Sequence, residues 1–190
     1  MTNVSIFGTG NMANAIGGVI ADGGSTVQYI GEDSNDAPTG DIVVLAVPYA
    51  ALADIVASHR DALAGKIVVD ITNPVNFETF DSLTVPADSS AAAELARQLP
   101  DSRVLKAFNT TFAGTLAGKT VGGLPTTVQI AGDDAAAKQT LAEVVRAGGI
   151  KAIDVGGLKR ARELEAFGFL QITLAAAEKI NWTGGFAVAA

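Results

Sequence analysis

The residues best suited to chemistry stand at the start of the chain. Gly8-Thr9-Gly10-Asn11-Met12-Ala13 directly follow Asn3-Val4-Ser5-Ile6-Phe7. An apolar β-type run enters a glycine turn, and Met12 to Ala21 then reads as a helix. This is the strand–turn–helix setting in which a GxGxxA pattern binds a dinucleotide. Gly8 permits the tight turn and Gly10 lets the backbone approach a pyrophosphate. Ala13 is small enough for the helix to pack on the strand, and the helix N-terminus offers free N–H groups to the phosphates. Thr9, Asn11 and Met12 complete the turn. The plain alternative is a glycine turn with no ligand.

A second set follows from position. In a doubly wound sheet, ligands lie beyond the carboxyl ends of the strands. Apolar runs that read as buried strands are Val4–Phe7, Val27–Ile30, Ile42–Val47, Ile67–Ile71, Val104–Phe108, Val128–Ala131 and Ala152–Val155. Their cleft-side ends place Gly31, Glu32 and Asp33, then Val47 and Pro48, Asn73 and Pro74, and Ala107 and Asn109 beside the glycine turn. These groups are amides, hydroxyls and prolines with few charges. They orient a nicotinamide rather than perform strong acid–base work, so no catalytic residue is assigned. Pro48 and Pro74 could equally serve only to end their strands.

Glu32 and Asp33 bear on cofactor choice. An acidic residue about 20 positions beyond the glycines accepts hydrogen bonds from the ribose of NAD, whereas an Arg accommodates the 2′-phosphate of NADP. No Arg or Lys stands nearby, so electrostatics favours NAD(H). A solvated loop with no ligand is the competing reading.

The elements that must position these residues alternate. Between the strand runs lie helix-like stretches at Tyr49–Ser58, Ser90–Leu99 and Asp133–Ala147, and a last helix spans Lys159 to Ile180. Unbroken Val/Ile/Leu runs suit strands covered on both faces. The expected architecture is a Rossmann-type, doubly wound α/β fold with a largely parallel sheet. Residues 1–157 would form the dinucleotide-binding domain, and 158–190 a C-terminal helix and tail packed on it. The link Gly31–Gly40 contains Pro38 and Gly40 and resists helix, which predicts a pruned second half-unit with Val27–Ile30 at a sheet edge.

Composition excludes several functions. The chain has 190 residues, 48% of them apolar, a net charge of −7, no cysteine and one histidine. Thiolate, Fe–S and structural zinc chemistry are excluded, and multi-His metal sites with them, so no metal is expected. The acidic balance disfavours nucleic acid and anionic membranes as partners. No apolar run spans a bilayer, and no basic stretch precedes the first apolar residues, so a cytoplasmic location is expected. His59 reads as a helix-end cation rather than a catalyst.

Three other features have two readings. Lys159, Arg160 and Arg162 are either a surface neutralised by Lys159–Glu163 and Arg162–Glu165 pairs, the plainer reading, or a site for an anionic substrate tail. Asp70 and Lys106 form either a structural ion pair or an exposed strand end, the plainer readings, or a catalytic pair. Trp182 is better read as pinning the C-terminal tail than as stacking on a planar ring.

Five ordered motifs carry a resemblance across nearly the whole chain: Gly8-Thr9-Gly10-Asn11-Met12-Ala13, Ala46-Val47-Pro48-Tyr49, Val69-Asp70-Ile71-Thr72-Asn73-Pro74, Lys106-Ala107-Phe108-Asn109 and Ala161-Arg162-Glu163-Leu164-Glu165. Together they resemble the NADP-dependent coenzyme F-420 oxidoreductase family and the cytosolic domain of six-transmembrane metalloreductases. The resemblance implies NADP(H) as cofactor, a flavin or coenzyme F-420 as co-substrate, a small-molecule redox acceptor as partner, and a homodimer. It implies that Gly8–Met12 hold the pyrophosphate. Val47, Pro48, Asn73, Pro74, Ala107 and Asn109 would line the nicotinamide. The family often carries Ser-Arg where this chain has Glu32-Asp33, which leaves NAD(H) open. Two other functions are a non-catalytic NAD(P)H-sensing module and a pyrroline-5-carboxylate reductase-like imine reductase, whose turn Gly10-Asn11-Met12 also resembles.

Overall fold

A computed structural model describes residues 2–189. Strand β1 (Asn3–Phe7) leads into helix α1 (Asn11–Asp22), then β2 (Thr26–Ile30) and β3 (Ile42–Leu45). A single 3-10 turn at Tyr49–Ala51 opens α2 (Leu52–Leu63), followed by β4 (Ile67–Asp70), α3 (Ala91–Gln98) and β5 (Arg103–Lys106). A five-residue helix α4 (Ala113–Ala117) and a small hairpin, β6 (Thr120–Val121) and β7 (Leu124–Pro125), come next. The chain ends through β8 (Thr127–Gly132), α5 (Ala135–Ala147), β9 (Lys151–Gly156), a 3-10 turn at Leu158–Arg160, and α6 (Ala161–Ala176).

The seven-stranded sheet has the order β2-β1-β3-β4-β5-β8-β9. The first five strands are parallel. β8 pairs antiparallel with β5, and β9 follows β8 in parallel. The reversal has a local cause. α4 is too short to carry the chain back across the sheet, so β8 enters from the end at which β5 leaves. The fold is therefore the expected Rossmann-type α/β fold with a largely parallel sheet. The link after β2 contains no helix, and β2 stands at the sheet edge.

Buried Val, Ile and Leu side chains alternate between the two faces of the sheet. On one face Ile6, Val44, Val69 and Leu105 pack with Ile16 and Ile20 of α1 and with Leu141 and Val145 of α5. On the other, Phe7, Val43, Leu45, Val68 and Val104 pack with Leu52 and Val56 of α2 and with Leu95 of α3. The strand register aligns Phe7, Leu45, Asp70 and Lys106 in one row. The segments that leave this row form a single edge, and the candidate site lies along it. No helix among the described residues is long and apolar enough to cross a membrane.

Candidate dinucleotide cleft

The glycine turn is held from three sides. The Gly8 N–H donates to the Ile30 carbonyl at 2.8 Å, which ties the end of β1 to β2. Gly8 has φ +108°, and a Cβ there would collide with the Ala46 carbonyl oxygen. Only glycine satisfies both constraints. The Asn14 side-chain amide donates to the Thr9 carbonyl at 3.0 Å and braces the turn from α1.

Gly10 differs. It is the N-cap of α1 at φ −77°, no side chain caps the helix, and a Cβ at Gly10 would meet nothing within 4 Å. The fold itself does not require glycine here. The open space lies at a helix end whose first-turn N–H groups have no partner within the helix. Thr9, Gly10 and Asn11 are exposed and Met12 is half-buried. This cradle fits a pyrophosphate: uncharged, donor-rich and open where backbone approach is needed.

Beside it the chain turns at Gly31, with the Ser34 N–H donating to the Gly31 carbonyl at 3.1 Å. A Cβ at Gly31 would lie 4.0 Å from Thr9 Cγ2, so this turn adjoins the glycine turn. Glu32 and Asp33 are exposed, and neither joins an ion pair among the described residues. Gln28 holds the helix-free link in place. Its Oε1 accepts from Ser5 Oγ, the Thr39 N–H and Thr39 Oγ1 at 2.7, 3.0 and 2.9 Å, and its Nε2 donates to the Ala37 carbonyl.

Beyond β3, Val47 is half-buried and Pro48 exposed. The neighbouring Tyr49 hydroxyl donates to Glu94 Oε2 at 2.7 Å. Burial, and then the Glu94 carboxylate, push this phenol up to about 12, so it stays neutral at physiological pH. At the ends of β4 and β5, Asn73 and Asn109 clasp each other. Asn109 Nδ2 donates to Asn73 Oδ1 at 2.9 Å and to the Leu164 carbonyl at 2.8 Å. Asn73 Nδ2 donates to the Asn109 carbonyl at 2.9 Å. Gly168 of α6 allows this clasp, because a Cβ there would strike Asn73 Oδ1. Ala107 and Pro74 are buried beside it. Between Ala107 and Asn109, the fully buried Phe108 adopts φ +64°. A bulky residue is held there only where its surroundings over-determine it. The buried Asn109 Oδ1, Thr72 Oγ1 and Thr110 Oγ1 have no hydrogen-bond partner.

Beneath this half lies a buried ion cluster. Lys106 is fully buried, with Nζ 2.8 Å from Asp70 Oδ2, 2.8 Å from Glu165 Oε1 and 2.5 Å from the Thr72 carbonyl. Asp70 Oδ1 also accepts from the Thr72 N–H at 2.8 Å. Glu165 accepts from the Ala91 and Ala92 N–H groups at the start of α3, at 2.9 and 3.3 Å. Burial pushes its carboxyl above the usual range, while Lys106 and the Ala91 N–H pull it back. One ammonium thus joins β4, β5, α3 and α6, and fixes the segment that carries Asn73 and Pro74.

The fold therefore gathers Gly8–Met12, Gly31–Asp33 and Val47 at one part of the edge, and Asn73, Pro74, Ala107 and Asn109 at the other. Two surface pairs read from the sequence do not form. Glu163 bonds Arg160 at 3.1 Å rather than Lys159, and Glu165 is buried on Lys106 rather than paired with Arg162. Helical spacing allowed those pairs, but burial of one face of α6 turns Glu165 inward. Glu165 is also the member of the site that the sequence does not reveal, because its spacing on α6 reads as a surface pair with Arg162. His59 packs edge-on against Phe7, 4.9 Å between ring centres. Trp182 packs on Phe112 at 4.9 Å and holds the tail to the body. No cluster of His, Cys, Asp or Glu suited to a metal occurs among the described residues.

The chain is similar to known proteins. The family described as NADP oxidoreductase, coenzyme F420-dependent, matches residues 25–74. An F420-dependent NADP reductase of Methanocaldococcus jannaschii is 30% identical over 166 residues, covering 85% of this chain and 74% of the reductase. The metalloreductase STEAP3 of Rattus norvegicus is 42% identical over 110 residues, which span 57% of this chain but 21% of the metalloreductase. A solved structure from Arthrobacter sp. FB24, whose name assigns it to the F420-dependent NADP-reductases, superposes with TM-score 0.86 at 26% identity over 100% of both chains. With the glycine turn, the Asn clasp and this similarity together, the chain belongs to the coenzyme F420-dependent NADP oxidoreductase family, a group of NAD(P)-dependent oxidoreductases.

Proposed function

We propose that the cleft binds NADP(H) and exchanges hydride with a flavin or a deazaflavin of the coenzyme F420 kind. One observation carries the reading: Gly8 is demanded by the fold, whereas Gly10 borders open space at an uncapped helix N-terminus. A glycine that the chain does not need for itself marks a close approach of its backbone to a ligand. Gly8–Met12 would hold the pyrophosphate and Gly31–Asp33 the adenosine side. Val47, Pro48, Asn73, Pro74, Ala107 and Asn109 would form the wall behind the nicotinamide. The reduced nicotinamide, when bound, supplies two electrons and one proton as hydride, and the acceptor ring takes its second proton from solvent.

The chain's own contribution is positional. The Asn73–Asn109 clasp spends its amide hydrogens on itself and on Leu164, so it stiffens the wall. Lys106 holds Thr72, and thereby the neighbouring Asn73, from below. Tyr49, neutral and bonded to Glu94, adds no charge to the cleft. A small-molecule redox acceptor completes the reaction. A second copy of the chain is the expected macromolecular partner, supported by the edge position of β2 and the exposed Phe77 and Leu170.

The exposed Glu32 and Asp33 favour a second reading, NAD(H) as the dinucleotide. Two unpaired carboxylates repel a 2′-phosphate and accept from ribose hydroxyls. The test is oxidation of NADPH and of NADH by the purified protein with FMN or a deazaflavin as acceptor. Acceptor-dependent loss of NADPH absorbance is the expected result. Binding without turnover on any flavin, deazaflavin or ferric acceptor would make the protein a redox-sensing module instead.

A further inference from the structure

Lys159, Arg160 and Arg162 stand at the mouth of a groove of about 450 Å³ between the start of α3 and the start of α6. Three of the thirteen Lys and Arg residues in a chain of net charge −7 fall within four positions. A neutralised surface would need local carboxylate partners. Only Arg160 has one, Glu163. Glu165 is turned into the core, and Asp88, the other carboxylate lining the groove, forms no ion pair with these cations among the described residues. Lys159 and Arg162 are both exposed and without an ion-pair partner there. The groove is also lined by Ser89, whose hydroxyl oxygen is buried with no hydrogen-bond partner. The α3 N-terminus is already satisfied, with Ala91 and Ala92 donating to Glu165 and Ala93 to Ser90. The cations, not the helix end, are what remains available.

We propose that this groove binds the anionic group of a small molecule, a phosphate ester or a carboxylate, at a site separate from the Gly8–Met12 turn. Unpaired guanidinium and ammonium groups around a cavity recognise such a group by charge-assisted hydrogen bonds. The cavity is larger than one phosphate, so a group attached to a bulkier body also fits.

Amide NMR spectra of the full chain, titrated with inorganic phosphate, test the site. Saturable shifts at Ser89–Ala93 and Lys159–Arg162 are expected. In a Lys159→Gln, Arg162→Gln variant the affinity read at those amides should fall about tenfold. NADPH shifts at Gly8–Met12 should be unchanged in that variant, which separates this site from the dinucleotide assignment. Absence of saturable shifts at the groove, or equal affinity in wild type and variant, would overturn the proposal. FMN and riboflavin share a ring and differ by a phosphate, so they identify the source. Groove shifts with FMN at lower concentration than with phosphate, and none with riboflavin, assign a ring-borne phosphate. Equal affinity for FMN and inorganic phosphate assigns the free anion.

Discussion

The two parts of the cleft edge are built in opposite ways. At the ends of β1 and β2 the chain leaves things open: an uncapped helix, a glycine with empty space beside it, and two exposed carboxylates. At the ends of β4 and β5 it closes them. Two asparagines bond to each other, and one buried ammonium serves two carboxylates and a carbonyl. The contrast teaches a division of labour. The open part has donors to give to a ligand, and the closed part has the rigidity that keeps a planar ring in register with an acceptor. If that is right, damage to the closed part should appear first as lost stability, and damage to the open part as lost affinity.

The largest effect is expected at Lys106. Lys106→Met leaves Asp70 and Glu165 buried without their counter-charge, which costs about 3–5 kcal/mol. Thermal denaturation should show Tm lowered by roughly 10 °C. The deficit has a defined pH dependence. Burial already raises the Glu165 carboxyl, and loss of Lys106 raises it further. The folded variant then binds more protons than the unfolded chain, so its stability falls as pH rises through and above the ordinary carboxylate range. The gap between wild type and variant should narrow on acidification. A gap that widens at low pH would contradict the cluster as described.

A smaller effect is expected in the open part. Glu32→Arg should leave Tm unchanged, because Glu32 is exposed and outside every ion pair among the described residues. It should shift the ratio of NADPH to NADH dissociation constants about tenfold toward NADPH, by exchanging a repelled phosphate for a bonded one. An unchanged ratio would show that this loop does not read the ribose.

The division also marks what the sequence reveals. All seven sheet strands announce themselves as apolar runs, and the glycine turn is legible because its function is local: strand, turn and helix are contiguous. The pruned link is legible through Pro38 and Gly40. In the closed part the strand ends reveal Asn73, Pro74, Ala107 and Asn109, but not their contacts, because the partners are remote in sequence. Lys106 and Asp70 stand out as charges in strands, but Glu165, 59 positions beyond Lys106, carries no local sign of burial and has the spacing of a surface pair. The α4 helix and the β6–β7 hairpin are too short to leave a periodic signal, and with them goes the reversed direction of β8 and β9.

Gly10 is a glycine for a ligand, and Gly8 a glycine for the fold. Titration of wild type and Gly10→Val with NADPH and NADH, alongside their thermal denaturation, tests it most directly. Wild type should bind one dinucleotide tightly. Gly10→Val should lose about 1 kcal/mol of stability or less, from a poorer N-cap, yet bind neither dinucleotide measurably. Undiminished binding by folded Gly10→Val would show that no ligand passes close to Gly10.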